Sequence, residues 1–161
     1  MLKRKWQIGL ILFVVVILLA CSSGPNREEA AKKRFESMPR LTDSVLVNMI
    51  SGVSGGSSKT CYAGYVEVLY GTDESSAEVI AFYSQFAQRE QWVVDQSLSS
   101  DQYLAADSQD DYSFSVTVMA MRGPYELHPS GIDQETIDDA LRKFNTVYSL
   151  NVVYRPGWRD C

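Results

Sequence analysis

His128 is the only histidine in this sequence, and its side chain is the one best suited to acid–base catalysis. His128 lies in a segment bounded by Gly123-Pro124 and Gly131, which predicts a loop. Histidine is the usual general base and the usual activator of a nucleophile, and one copy suffices for either role. A single loop histidine is nevertheless more typical of an exposed residue, and no Gly-x-Ser-x-Gly nucleophile motif is present. We therefore predict no catalytic residue and leave an enzymatic activity uncertain.

The aspartates Asp107, Asp110 and Asp111 form the densest acidic cluster outside the helical segments. Hard cations such as Ca²⁺ bind oxygen ligands, but the spacing of an EF-hand loop is absent. Aspartates between two strands are more often turn formers. Zinc sites need three or four Cys, His or carboxylate ligands at short spacing, and the sequence contains no such cluster. We expect no metal and no cofactor.

The segment 52–60 superficially has the composition of a phosphate-binding loop. Ser58 stands where such a loop needs a glycine directly before its lysine, and the segment precedes a predicted strand when it should follow one. This segment is therefore predicted to be a flexible linker.

The N-terminal segment has the pattern of an export signal. Lys3, Arg4 and Lys5 form a basic region, an apolar run follows from Ile8 to Leu19, and Ala20 precedes Cys21. A short apolar core with basic flanks and a small residue before the cut is typical of a secretory signal peptide. The run is shorter than the about 20 apolar residues of a spanning helix. An uncleaved anchor and a freely secreted product are the alternatives.

Leu18-Leu19-Ala20-Cys21 resembles the lipobox of bacterial lipoproteins. The resemblance implies that Cys21 receives a diacylglycerol and becomes the new N-terminus. It also implies a location outside the cytoplasm, tethered by lipid to the cell membrane or the outer membrane. Two or more acyl chains hold a protein stably on a membrane, whereas one binds reversibly.

The charge of the mature chain limits its partners. Removal of residues 1–20 takes away three basic residues and no acid, so the formal net charge of −5 becomes −8. Binding to nucleic acid depends on neutralising phosphates with Lys and Arg. The composition therefore argues against a nucleic-acid partner.

If Cys21 is acylated, Cys61 and Cys161 remain as a pair in an oxidising compartment. Such a pair predicts one disulfide bond.

The remaining sequence predicts an α+β domain. Cys61 to Tyr70 has the composition of a strand, and Ser75 with Glu78 forms a capping box that begins a helix. Tyr112 to Arg122 alternates as a half-buried strand, and Asp133 caps a second helix. The other predicted elements are a strand opening at Trp92, a strand from Tyr148 to Tyr154, and Val45 to Ile50 as either a strand or a helical turn.

The order strand, helix, strand, strand, helix, strand predicts a ferredoxin-like (βαββαβ) fold, with two helices on one face of an antiparallel sheet. In that topology the first and last strands are neighbours, which would bring Cys61 close to Cys161. The predicted organisation is a signal peptide over 1–20, a lipid-anchored tether over 21–43 and a single α+β domain over 44–161.

The second face of this sheet is the candidate interaction surface. Alternation places Val66, Val68, Phe114 and Val116 toward the helices. It places Tyr65, Leu69, Met119 and Met121 on the other side. Tyrosine and methionine are enriched at interaction surfaces, although ordinary packing under another segment is the alternative.

The stretch Tyr70-Gly71-Thr72-Asp73, with the following Phe82-Tyr83 and Trp92, is similar to a module of small bacterial lipoproteins. The resemblance implies a location and a fold, and it carries no catalytic residues. We expect a non-catalytic binding module of the cell envelope, with membrane lipid and an envelope protein as partners. A small envelope hydrolase and a structural subunit of an envelope complex are the alternatives.

Replacing Cys21 tests the predicted lipid attachment. Cys21→Ser removes the thiol that would be acylated, so unprocessed precursor should accumulate in the cell, as measured by mass spectrometry of the intact protein. Mature Cys21→Ser protein released from membranes would show that the lipobox interpretation is wrong.

Overall fold

The computed structural model describes residues 26–55, 62–119 and 131–157. Three helices and six strands lie within these ranges. In chain order they are α1 (Arg27–Ser37), β1 (Val45–Gly55), β2 (Tyr62–Thr72), α2 (Ser76–Arg89), β3 (Val93–Val94), β4 (Tyr103–Asp107), β5 (Tyr112–Met119), α3 (Gln134–Lys143) and β6 (Thr146–Tyr154). The predicted α+β class is confirmed. Met121, His128 and all three cysteines lie outside the described residues, so the lipid attachment and the disulfide stay predictions.

The strands form one antiparallel sheet in the order β1-β2-β6-β5-β4-β3. The predicted first and last strands, β2 and β6, are indeed neighbours, with Gly64 opposite Tyr154. In a ferredoxin-like sheet β2 would also lie beside β5, but here β6 separates them. Val45 to Ile50 belongs to a strand, which pairs with the free edge of β2.

The first face of the sheet, which carries Val66 and Val68, is covered by α1 and α2. In α2 the predicted capping box is present: the Ser75 amide donates to the Glu78 carboxylate at 2.8 Å, and the Glu78 amide donates to Ser75 Oγ at 3.3 Å. The apolar stripe Val79, Tyr83 and Phe86 then packs on the sheet. The largest core side chains therefore lie on this face.

Helix α1 also lies on the first face, although the sequence predicted residues 21–43 to be a tether. Its charged residues do form the expected pair, with Lys32 Nζ 2.7 Å from Glu28 Oε1. However, Ala31 is fully buried in the core, and Ser51 of β1 donates to Glu28 at 2.8 Å. From Asn26 onward, the segment is therefore part of the folded domain.

The second face, which carries Leu69 and Val147, is covered at one end by α3. The sequence predicted both helices on one face, and this is wrong for α3, because Ile137 and Ala140 pack on the opposite side. The space that α3 would need beside α2 is partly filled by α1. The predicted N-cap is confirmed, since the Thr136 amide donates to Asp133 Oδ1 at 2.8 Å.

Two glycines of β2 let the chain approach closely from both sides. A Cβ at Gly64 would lie 1.9 Å from the backbone oxygen of Arg27 at the start of α1. On the opposite face, a Cβ at Gly71 would lie 2.0 Å from the ring of Phe144, which follows α3. Both distances are far below van der Waals contact, so β2 needs glycine at each position.

Adding a methyl group at these positions should destabilise the fold. We expect Gly64→Ala and Gly71→Ala each to lower the free energy of unfolding by roughly 1–3 kcal/mol, because overpacking forces the helices away from the sheet. Urea unfolding measures this loss.

Gly52→Ala is the matched control, because its added Cβ would meet only the end of the Tyr65 side chain, at 3.2 Å. Equal losses in all three variants would contradict close helix approach as the reason for the two glycines.

Candidate functional site

Polar side chains occupy the middle of the second face, next to the end that α3 covers. The strand register identifies one row of residues that crosses this face. In this row Glu67 of β2 lies between Ile50 of β1 and Asn151 of β6, and Asn151 lies opposite Ser115 of β5. The neighbouring rows add hydroxyl groups. We call the following six residues the polar patch: Tyr65, Glu67, Ser115, Thr117, Ser149 and Asn151.

Glu67 is the acid of the polar patch, and it is only 5 % exposed. Burial raises the pKa of its carboxyl above the ordinary value, and no hydrogen bond or charge from the described residues opposes this effect. Loss of hydration disfavours the charged form of an acid unless a donor or a cation compensates. Glu67 is therefore a desolvated carboxyl that lacks such compensation.

Asn151 lies directly across from Glu67 on the neighbouring strand. Its Oδ1 atom is buried and accepts no hydrogen bond within the described parts of the chain. Side chains of residues that face each other in an antiparallel pair have Cβ atoms about 4.5–5.5 Å apart. A largely buried carboxyl that has no donor among the described residues thus lies beside a fully buried amide oxygen that accepts no hydrogen bond from them.

The surroundings of this pair are mixed in polarity. Ser149 is buried and Thr117 is half-buried, and both follow Asn151 toward α3. At the other end, the side chain of Tyr65 leans across Gly52 of β1. Below α3, Leu69 and Val147 form an apolar floor. The polar patch therefore combines hydrogen-bonding groups with the half-buried apolar side chain of Ile50, opposite Glu67, and this mixture is typical of a small-molecule site.

The residues predicted to form an interaction surface have different fates. Leu69 is 0 % exposed beneath α3, so it cannot contact a partner directly, which corrects the sequence interpretation. Met119 is half-buried against the same helix, and Tyr65 is half-buried within the patch. Met121 lies outside the described residues.

Sequence reasoning missed Glu67 and Asn151. Glu67 alternates with Val66 and Val68 in an otherwise uncharged strand, and a single acid in that position has the pattern of a residue facing solvent. The available signal was its place on the same face as Leu69, in a strand predicted to lie inside the sheet.

The acidic cluster of Asp107, Asp110 and Asp111 is a turn. Ser108 Oγ accepts hydrogen bonds from the amides of Asp110 and Tyr112, and Asp111 has a positive φ of 64°. Within the described ranges, no group of three or more His, Cys, Asp or Glu side chains is arranged to hold a metal ion.

A second polar group, buried beneath α2, is a network of hydroxyls. Ser44 Oγ lies 2.9 Å from Tyr148 Oη, which is 3.5 Å from Tyr83 Oη. Burial raises the pKa of both tyrosines, so they stay neutral. These hydroxyls satisfy one another and are surrounded by core side chains, so we assign them to packing.

A shallow groove of about 300 Å³ lies between α1 and the β4–β5 turn. Its lining residues are Lys33, Arg34, Ser37, Ser108, Asp110 and Tyr112. Arg34 already stacks over the ring of Trp92 at 5.0 Å, and Lys33 and Asp110 are exposed to water. The two fully charged groups Lys33 and Asp110 therefore keep their water, unlike the Glu67 carboxyl.

Comparison with known proteins then gives a family. Residues 48–136, which are more than half of the chain, match the family model described as START domain-like. The chain belongs to the START domain-like family. The matched region of this START domain-like protein begins in β1, includes Tyr65, Glu67, Ser115 and Thr117, and ends in α3, whereas Asn151 lies beyond it.

Searches of curated proteins and of solved structures found no match to the chain. Among the helices of the described residues, none has the length and hydrophobicity needed to cross a membrane.

Replacing Glu67 by its neutral isostere tests the burial of the carboxyl. The raised pKa means that the folded state holds this proton more strongly than the unfolded state, so the stabilisation by the neutral acid is complete below the unfolded pKa, near pH 4, and lost as pH rises through the folded pKa. Glu67→Gln should therefore raise the melting temperature at about pH 7, with a gain that shrinks toward pH 4.

Thermal unfolding across this pH range, followed by circular dichroism, measures the effect. Glu36→Gln, at an exposed position of α1, controls for the removal of one carboxylate. A Glu67→Gln variant less stable than the parent at neutral pH would contradict an uncompensated buried acid.

Proposed function

We propose that this protein is a lipid-anchored, extracytoplasmic binding module that holds a small ligand on the polar patch. The observation that carries the proposal is the pair of adjacent buried acceptors, Glu67 and the Oδ1 atom of Asn151, on a sheet face that α3 only partly covers. The family supports it, since a START domain-like match suggests a ligand-binding domain. Domains of this type have a helix-grip fold, in which a sheet packs around a helix.

The energetic reason for a ligand lies in the cost of this pair. A buried acceptor without a donor costs about 1–3 kcal/mol, and more when the group is charged. Folded proteins contain few such groups, and an exception has a structural or functional cause. A bound molecule that donates hydrogen bonds to Glu67 and Asn151 would remove the cost.

The shape of the site favours a small molecule over a protein partner. Leu69 and Val147 lie beneath α3, so the apolar part of the face is a floor under a helix and not a flat exposed surface. Contact with another envelope protein, which the sequence predicted, would have to use the half-buried Tyr65 and Met119 at the margin of the patch.

The proposed location rests on the lipobox resemblance, and the fold adds a consequence. Helix α1 begins at Arg27 and packs on the sheet, so only residues 22–26 separate it from Cys21. Five residues span at most about 18 Å. A lipid on Cys21 would therefore hold the domain close to the membrane surface.

Native mass spectrometry of the full-length protein, purified from its membranes, tests ligand binding. We expect a small molecule to co-purify with the parent chain and its occupancy to fall at least about fivefold in Asn151→Leu, because the leucine offers no acceptor. Ser113→Ala, on the same face one row beyond Asn151, is the matched control and should retain the molecule.

Equal occupancy in Asn151→Leu and Ser113→Ala would contradict the proposed site. If neither the parent nor the control carries a small molecule, the proposal that the chain binds one in its native membrane falls.

A further inference from the structure

The charge of the strands constrains the ligand of the polar patch. Within the described residues, the six strands contain no lysine, arginine or histidine, and their only charged residues are Glu67 and Asp107. Asp107 lies on the same face but is exposed, in β4, three strands away from Glu67. A ligand that lies on this face therefore meets one buried acid and no strand cation.

The helix above the face does not change this charge. The charged residues of α3 and its N-cap are Asp133, Glu135, Asp138, Asp139, Arg142 and Lys143. The two basic residues are exposed in the last turn, and Arg142 Nη1 is already 2.9 Å from Asp139 Oδ1. The side chains that α3 buries are apolar, Ile137 and Ala140. No cation of α3 is buried against the patch.

We propose that the ligand carries a primary ammonium group on an apolar body, with the ammonium bound between the Glu67 carboxylate and Asn151 Oδ1. This inference rests on the proposed function and specifies its ligand class. An anionic head group, such as a carboxylate or a phosphate, would add negative charge beside Glu67, where neither the six strands nor α3 place a cation that balances it.

The number of donors distinguishes an ammonium from a hydroxyl. Glu67 and Asn151 Oδ1 are two adjacent acceptors on paired strands. An ammonium group has three N–H donors, whereas a hydroxyl group has one, so only the ammonium satisfies both acceptors at once. Its positive charge also stabilises the ionised form of a desolvated carboxyl. The apolar body of the ligand would lie against the half-buried side chain of Ile50, which is opposite Glu67 on the same face.

Calorimetric titration with three probes of equal length tests this assignment. Full-length protein in an uncharged detergent is titrated with n-hexylamine, 1-hexanol and hexanoate at neutral pH. We expect hexylamine to bind more tightly than hexanol, and hexanoate more weakly than either. Glu67→Gln should weaken hexylamine binding about tenfold or more, because it removes the charge-assisted hydrogen bond. Asp107→Asn, the matched loss of an exposed acid, should change it less than twofold.

The outcomes separate the ligand class from the proposed function. If hexanol or hexanoate binds more tightly than hexylamine, and Asn151→Leu abolishes that binding, the patch is a ligand site but the ammonium assignment is wrong. If Glu67→Gln and Asp107→Asn weaken hexylamine binding equally, the amine is attracted by the overall negative charge of the protein and not by Glu67. That result would overturn the assignment. Failure of all three probes to bind in a manner that depends on Glu67 or Asn151 would overturn both proposals.

Discussion

The pairing of β2 with β6 at the middle of the sheet is the constraint on which the other features depend. These strands run antiparallel over nine residue pairs, from Gly64 opposite Tyr154 to Thr72 opposite Thr146. Their first-face side chains form the core beneath α1 and α2, while their second-face side chains support α3. Because both strands are interior, a polar side chain on either of them has a neighbouring strand on each side, and these neighbours exclude part of its water. Glu67 and Asn151 meet across this pair, so the register that builds the core also places the two acceptors side by side.

Helices cover β2 on both faces, and this explains how the fold accommodates a buried Glu67 that has no hydrogen-bond donor. Gly64 admits the start of α1 on one face, and Gly71 admits Phe144 on the other. Each helix buries apolar surface, which contributes about 25 cal/mol per Å² removed from water. That contribution offsets the desolvation of Glu67. Helix α3 covers the Leu69 end of the second face, while Ser115 and Thr117 of the patch are half-buried and Glu67 is 5 % exposed.

Local signals in the sequence predicted local structure well. The capping box of Ser75 and Glu78, the cap at Asp133 and the alternation of β5 each depend on residues within one turn or one strand, and all three are confirmed. The neighbouring position of β2 and β6 was also predicted, because it follows from the order of the elements. None of these features depends on how distant segments of the chain compete for the same face of the sheet.

The candidate site depended on such competition, and the sequence did not reveal it. The charged residues of α1 are typical of a solvated tether, yet Ala31 and Phe35 pack the helix on the first face. With that face occupied, α3 lies on the second, which buries Leu69 and corrects its assignment as a contact residue. Glu67 has the same alternation whether its face is open or covered. Its burial is therefore a tertiary property.

The most direct test of the buried, unpartnered carboxyl is a ¹³C NMR titration of the Glu67 side chain in full-length protein from which any bound small molecule has been removed, assigned by its absence in Glu67→Gln. The expected titration midpoint lies above the ordinary range of glutamate, because burial raises this pKa without a compensating donor. A midpoint within or below that range would show a hydrated or already partnered carboxyl, and it would contradict the polar patch as a site that awaits a ligand.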